Sequence, residues 1–374
     1  KHVDYEFVML HAWVQYQLHL QLKEAVDYTH GLGISLKGDL PIGIYRFSVE
    51  AWTEPELFGM DFQAGAPPDE FSDLGQNWEF PTYNWEVMRA NNYDWWKKRF
   101  NVIARYFDAM RIDHILGFFR IWRMPMTATQ GLLGYFYPAV PVTLEEFAAR
   151  HLPFNFDRYC KPFINEQVLW DYFGYEKDVI AEHFMVQENG LFFFKPEFDS
   201  QRKLTNYFKE NPRDWAEEKL INLAANVLFL QEFNGQDYVY HPRFNINKTD
   251  SFKYLPEWER KALYDLYVDY FFKRQDDMWY QKAMEKLPML LSATDMLICG
   301  EDLGLVPDCV PVVMDQLGIT ALKVQRSPKE DVPFYNPQTA GYMNVVTASS
   351  HDSSTLRQWW KENRELTQNY FNHQ

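Results

Sequence analysis

The stretch Ala109-Met110-Arg111-Ile112-Asp113-His114 is a short apolar strand that turns polar all at once, delivering an arginine, a carboxylate and an imidazole at its C-terminal end. Two further endings of this kind follow, one from Met296 to Glu301-Asp302 and one from Asn344 to His351-Asp352. Helical patterns alternate with them. Apolar residues recur at three- and four-residue steps over 6–29 and 94–106, and helices are expected at 308–317 and 354–369. This β-α-β-α order predicts parallel strands joined by crossover helices, with the chemistry at the strands' C-terminal ends.

Five such strands are expected, near residues 36, 111, 299, 322 and 347. A closed (β/α)8 barrel of the TIM type needs eight. Because the chain is expected to start on a helix and stop on one, the expectation is an α/β barrel-type catalytic domain that is incomplete, an internal piece of a longer protein. Residues 133–290 differ in character, with a capping-box pattern at Thr143 and Glu146, an aromatic run at 191–194 and helical patterns at 214–229 and 256–272. They are expected to be a mostly helical inserted subdomain, leaving 1–132 and 291–374 as the catalytic part. Residues 54–85 read as one long loop, a length that points to a functional role.

Composition narrows the partners. With 52 acidic against 37 basic side chains the formal charge is -15, which disfavours nucleic acid and anionic membrane surfaces. No apolar run is long enough to cross a bilayer, the nearest, 220–230, being interrupted by Asn222 and Asn226. Three cysteines without metal or redox spacing fit a reducing, cytoplasmic compartment. None of the ten histidines forms a His-x-His pair, so a metal site is not expected. Aromatic content of 18% serves either an aromatic-rich core or stacking on the apolar faces of sugars.

Retaining glycoside chemistry needs a carboxylate nucleophile and a second, protonated carboxyl group about 5–5.5 Å away. Asp113, Glu301 and Asp352 are candidates from three strand ends. Arg111 leaves the strand on the same face as Asp113, where it would keep that carboxylate ionised. Asp302 next to Glu301 would favour the protonated acid, while Asp352 would stabilise oxocarbenium-like charge and His351 would bind sugar hydroxyls. Each residue taken singly has a plainer reading: a surface salt bridge for Arg111 and Asp113, a cap for Glu301-Asp302, a turn for Asp39, satisfied structural histidines for His114 and His351. Their joint occurrence at successive strand ends favours the catalytic one.

Five stretches in order, Gly38-Asp39-Leu40-Pro41-Ile42-Gly43, Gly65-Ala66-Pro67-Pro68-Asp69 with Phe71-Ser72 and Gly75-Gln76-Asn77-Trp78, Arg111-Ile112-Asp113-His114, Glu301-Asp302-Leu303-Gly304 and His351-Asp352, resemble the 4-α-glucanotransferases of glycoside hydrolase family 77, the amylomaltases. The resemblance implies Asp113 as nucleophile, Glu301 as acid and base and Asp352 as transition-state stabiliser. It implies that Arg111 and His351 hold the nucleophile and the donor sugar, that Asp39 binds near the cleaved bond, that His114 also binds substrate, and that the loop carrying Asp69, Gln76 and Trp78 covers the acceptor side. It implies no metal or organic cofactor. The gap from Asp113 to Glu301 is far longer than in the short bacterial members, similar to the plant cytosolic disproportionating type, which uses maltose and maltooligosaccharides as donors and glycogen or another branched glucan as acceptor. An α-glucan hydrolase and a catalytically degenerate glucan-binding protein are the alternatives. Glu79 stands where many members have glycine.

Overall fold

The computed structural model describes residues 4–69, 72–212, 214–329 and 332–373; Lys1 and Phe71 lie outside the described residues. By contacts the chain forms two compact units, one of 1–42, 86–119 and 282–374, the other of 43–85 and 120–281.

In the first unit, five parallel strands, β1 (Lys37–Leu40), β2 (Ala109–Ile112), β3 (Leu297–Gly300), β4 (Ala321–Val324) and β5 (Asn344–Thr347), lie side by side in chain order. β1 and β3 flank β2, and β4 pairs with β5. A parallel bridge between Cys299 and Thr320 joins the two groups, with Gly300 N–H donating to the Thr320 carbonyl at 2.8 Å. Neighbours that follow chain order without reversal belong to barrel-type rather than doubly wound sheets. The centre of the sheet is apolar, with Met110, Ile112 and Ile298 buried, and Trp96 and Phe100 fill the buried face of the helix Asp94–Ile103. Tyr93 holds that helix's N-cap position, in the left-handed region, and Asp94 pairs with Lys98 at 2.6 Å in the first turn. The helix Tyr5–Gly31 forms as its periodicity predicts, with Val26 buried and Phe7, Leu10, Val14, Leu18 and Leu22 exposed. The single helix expected at 354–369 is two, Leu356–Glu362 and Arg364–His373, because Asn363 leaves helical geometry and caps the second by accepting from Leu366 N–H.

The second unit differs from expectation in two respects. Residues 54–85 are not one loop: Phe62–Ala66 is the inner strand of an antiparallel sheet that also contains Gln76–Asn77, Ile121–Pro125 and Tyr135–Tyr137. That pairing ties 43–85 to 120–137, so the units divide the chain elsewhere than at 133 and 290. Residues 133–281 are also less helical than expected. The helix from Asp214 stops at Ala224, and Phe229–Phe233 pairs with Tyr238–Pro242 in a hairpin, as Met185–Glu188 does with Leu191–Phe194. Asn189 and Gly190, both at positive φ, make the two-residue turn of the latter, a strong hairpin signal. Thr143 caps its helix by accepting from Glu146 N–H, as the capping box predicts. Much of the aromatic content is core here, with Trp122, Tyr159, Phe229 and Tyr270 fully buried. No helix among the described residues is long and apolar enough to cross a membrane.

Candidate active site

The register of β1 and β2 sets Asp39 opposite Arg111. In parallel strands such partners share a face. The Arg111 guanidinium, buried at 7% exposure, accordingly donates through Nη1 to both Asp39 oxygens at 3.0 and 2.9 Å. Residue 113 lies two positions on, and the same Nη1 is 2.9 Å from Asp113 Oδ1. Nη2 lies 3.7 Å from Asp352 Oδ2. One cation is therefore shared by three carboxylates.

Glu301 enters from β3. Its backbone N–H donates to the Ile112 carbonyl at 2.9 Å, extending the β2–β3 ladder one rung past Gly300 and placing Glu301 level with Asp113. Its carboxylate accepts from His114 N–H at 2.9 Å and Leu303 N–H at 3.2 Å. His114 can offer that N–H because its backbone turns into the left-handed region, at φ 40°, which non-glycine residues adopt rarely. Glycine at 117 completes the turn: a Cβ there would come within 2.8 Å of the Ile42 side chain.

Burial is the main force on both acids. It pushes Glu301 up from an ordinary 4.5 to about 7; Asp113 adds to the rise, while Arg111 and the His114 and Leu303 N–H groups oppose it. Asp302, the neighbour expected to raise Glu301, is otherwise engaged. It accepts from Leu322 N–H at 3.0 Å and pairs with Lys329 at 2.5 Å, so desolvation and Asp113 take the part assigned to it. Asp113 is raised by burial, and by Asp39 and Asp352, against Arg111 and a hydrogen bond from Ile42 N–H. Arg111 thus pulls in the expected direction and is outweighed.

His351 and Asp352 lie past the end of β5 and are about two-thirds exposed, at 64% and 65% of their side-chain surface. His351 Nε2 is 3.3 Å from Asp352 Oδ1, and its Nδ1 is 3.6 Å from Asp39 Oδ2. Arg326 braces this segment by hydrogen bonds to the Ser349 hydroxyl and to the hydroxyl and carbonyl of Ser354. The bracing role of Arg326 and the pairing of Lys329 carry no sequence signal, since their partners lie 20 or more residues away.

Asp69, Gln76 and Trp78 belong to the second unit. Asp69 Oδ1 accepts from Ser72 N–H at 2.9 Å, the Trp78 indole N–H donates to Gln76 Oε1 at 2.9 Å, and Trp78 stacks on Phe80 with centroids 5.5 Å apart. Gly65 is required because a Cβ would stand 2.0 Å from the Gln76 carbonyl oxygen. Glu79 adopts φ 63°, a left-handed conformation that glycine takes more readily. Arg46, unmarked in the sequence, ties the segment together through the carbonyls of Met60, Phe62 and Glu79. His241 is structural, its ring bonded to Glu232 at 2.8 Å and Tyr270 at 2.7 Å. No cluster of three metal-ligating side chains occurs among the described residues.

Carboxylates on successive strand ends around a shared arginine are what the family resemblance requires, and the family model of glycoside hydrolase family 77, 4-alpha-glucanotransferase, matches residues 1–374. The chain belongs to glycoside hydrolase family 77. This family-77 chain is 42% identical over 370 residues to the 4-alpha-glucanotransferase DPE2 of rice, covering 96% of itself and 39% of the rice protein. A Synechocystis 4-alpha-glucanotransferase is 37% identical over 139 residues, covering 35% of this chain and 28% of its own length. The amylomaltase from Streptococcus agalactiae, solved in complex with acarbose, matches 96% of the chain and 46% of its own length at 18% identity and a TM-score of 0.50, which supports the fold. The chain spans about two-fifths of the length of the rice relative.

Proposed function

We propose that this chain carries the catalytic centre of a 4-α-glucanotransferase that moves α-1,4-linked glucosyl units from maltose or a maltooligosaccharide to a branched glucan such as glycogen. The observation that carries the reading is the pair of acids in different states of support. Glu301 is buried and raised to about 7, and Asp113 lies level with it in hydrogen-bonding contact with Arg111. A carboxyl group near 7 can give and take a proton at neutral pH, which acid–base catalysis needs, and an arginine-paired carboxylate can attack.

In the first displacement Asp113 attacks the anomeric carbon while Glu301 protonates the leaving oxygen. The glycosidic bond breaks as the bond to Asp113 forms, and charge spreads toward Asp352. In the second, Glu301 takes the proton of an acceptor hydroxyl, whose oxygen displaces Asp113 with net retention. Arg111 and His351 hold the nucleophile and the donor sugar, Asp39 binds near the cleaved bond, and His114 also binds substrate. Asp69, Gln76 and Trp78 serve acceptor binding, and transfer prevails over hydrolysis when water is kept from the glycosyl intermediate. The five sequential strands are part of an eight-stranded barrel interrupted by an inserted subdomain, and the enzyme works in the cytoplasm without metal or cofactor.

The test is incubation with maltose, with and without glycogen, following free glucose and total reducing ends. Glucose release that depends on glycogen, at constant reducing ends, is expected. Rising reducing ends would make the protein a hydrolase, and no reaction with glycogen retained would make it a binding protein.

A further inference from the structure

The second unit holds an open cavity of about 800 Å³ at the start of the helix Glu257–Phe272, lined by none of the residues assigned above. Trp258 and Tyr264, at 54% and 43% exposure, line it together with Phe252, and the Tyr264 ring stacks on Tyr267 with centroids 5.8 Å apart. Asn247, Glu257, Arg260 and Lys261 supply polar groups. Arg260 makes no ion pair among the described residues; its Nε has no hydrogen-bond acceptor there, though that atom is itself closed to solvent.

We propose that this cavity is a second, non-catalytic binding site for an α-glucan chain, a proposal that rests on the glucanotransferase reading. Two aromatic rings offer stacking surfaces for the apolar faces of glucose units. Donors and an acceptor of both charges around them suit a neutral polyhydroxylated ligand, while Glu257 on the same lining disfavours an anion. A single carboxylate cannot perform two-acid glycoside chemistry. A branched glucan has many chain ends, so holding one here raises the effective concentration of the others at the catalytic centre.

Hydroxyl-radical footprinting of Trp258 and Tyr264 tests it, with maltoheptaose as probe, sucrose at matched scavenging as control, and transfer from maltose to glycogen assayed in parallel. Maltoheptaose should protect both side chains saturably, and Arg260→Ala should remove the protection. Trp258→Ala, at an exposed position, should keep its melting temperature and its kcat at saturating glycogen, and lose roughly tenfold in retention on glycogen gels. Unchanged oxidation at maltoheptaose concentrations that saturate transfer would overturn the site while leaving the catalytic reading intact. So would protection by inorganic phosphate in place of maltoheptaose. Protection without any transfer would uphold the site and remove the catalytic reading.

Discussion

Asp39, Arg111, Asp113 and Glu301 are far apart in the chain and meet because β1, β2 and β3 are in register, so one guanidinium touches carboxylates from different segments. Between Gly65 and Trp78 the Asp69 carboxylate accepts from Ser72 and the Gln76 side chain from Trp78, three and two residues along the chain. The first set is held by the sheet and cannot shift without breaking a ladder; the second is a turn between the short antiparallel partners Phe62–Ala66 and Gln76–Asn77, braced by Arg46. The comparison teaches that electrostatic tuning sits where long-range pairing enforces burial, whereas a turn-built segment offers shape and a stacking ring.

The contrast is tested most severely by Asp113→Asn. Glycogen-dependent glucose release should fall by roughly 10⁴-fold or more, with the circular dichroism spectrum unchanged. Near-normal transfer would remove Asp113 as nucleophile.

Glu301→Gln should cost roughly 10²–10⁴-fold. In the parent, initial transfer rates should decline as pH rises through about 7, because the protonated form of Glu301 is lost there. Stability follows the same sign. Between 4.5 and about 7 the folded chain binds more protons at Glu301 than the unfolded chain does, so the stability Glu301 contributes below 4.5 is lost as pH rises through about 7. Denaturant titrations across that window measure it, and a flat response would contradict burial as the cause.

Arg111→Gln should lower transfer by roughly 10²-fold and move the alkaline limb upward, since Arg111 is the largest influence holding Glu301 down. A downward shift would sink that assignment. In the turn-built segment effects should be smaller. Trp78→Ala should raise the acceptor KM by roughly tenfold with little change in kcat; a loss as large as that of Asp113→Asn would erase the distinction between the regions. Glu79→Gly should stabilise the protein by about 1 kcal/mol by relieving a left-handed residue, read from the urea midpoint.

Legibility in the sequence followed the range of the interactions. The apolar run ending in Arg111-Ile112-Asp113-His114 is a local pattern, and alternation along a strand suffices to put Arg111 and Asp113 on one face. The Asn189-Gly190 turn was equally local, yet the aromatic run after it masked a hairpin. The strand Phe62–Ala66 was hidden for a different reason: its main partner, Ile121–Pro125, lies nearly sixty residues away.

The sequence by itself determined which residue types stand at which strand ends, hence the parallel alternation, the candidate acids and the family. Only the tertiary structure decided that Asp302 is spent on Lys329 and Leu322, that Arg326 braces the segment bearing His351 and Asp352, and that Glu301 owes its raised pKa chiefly to burial. Side-chain chemistry and strand alternation are properties of neighbours in the chain. Desolvation and charge sharing depend on which distant segments fold against a group, and no window of sequence contains them.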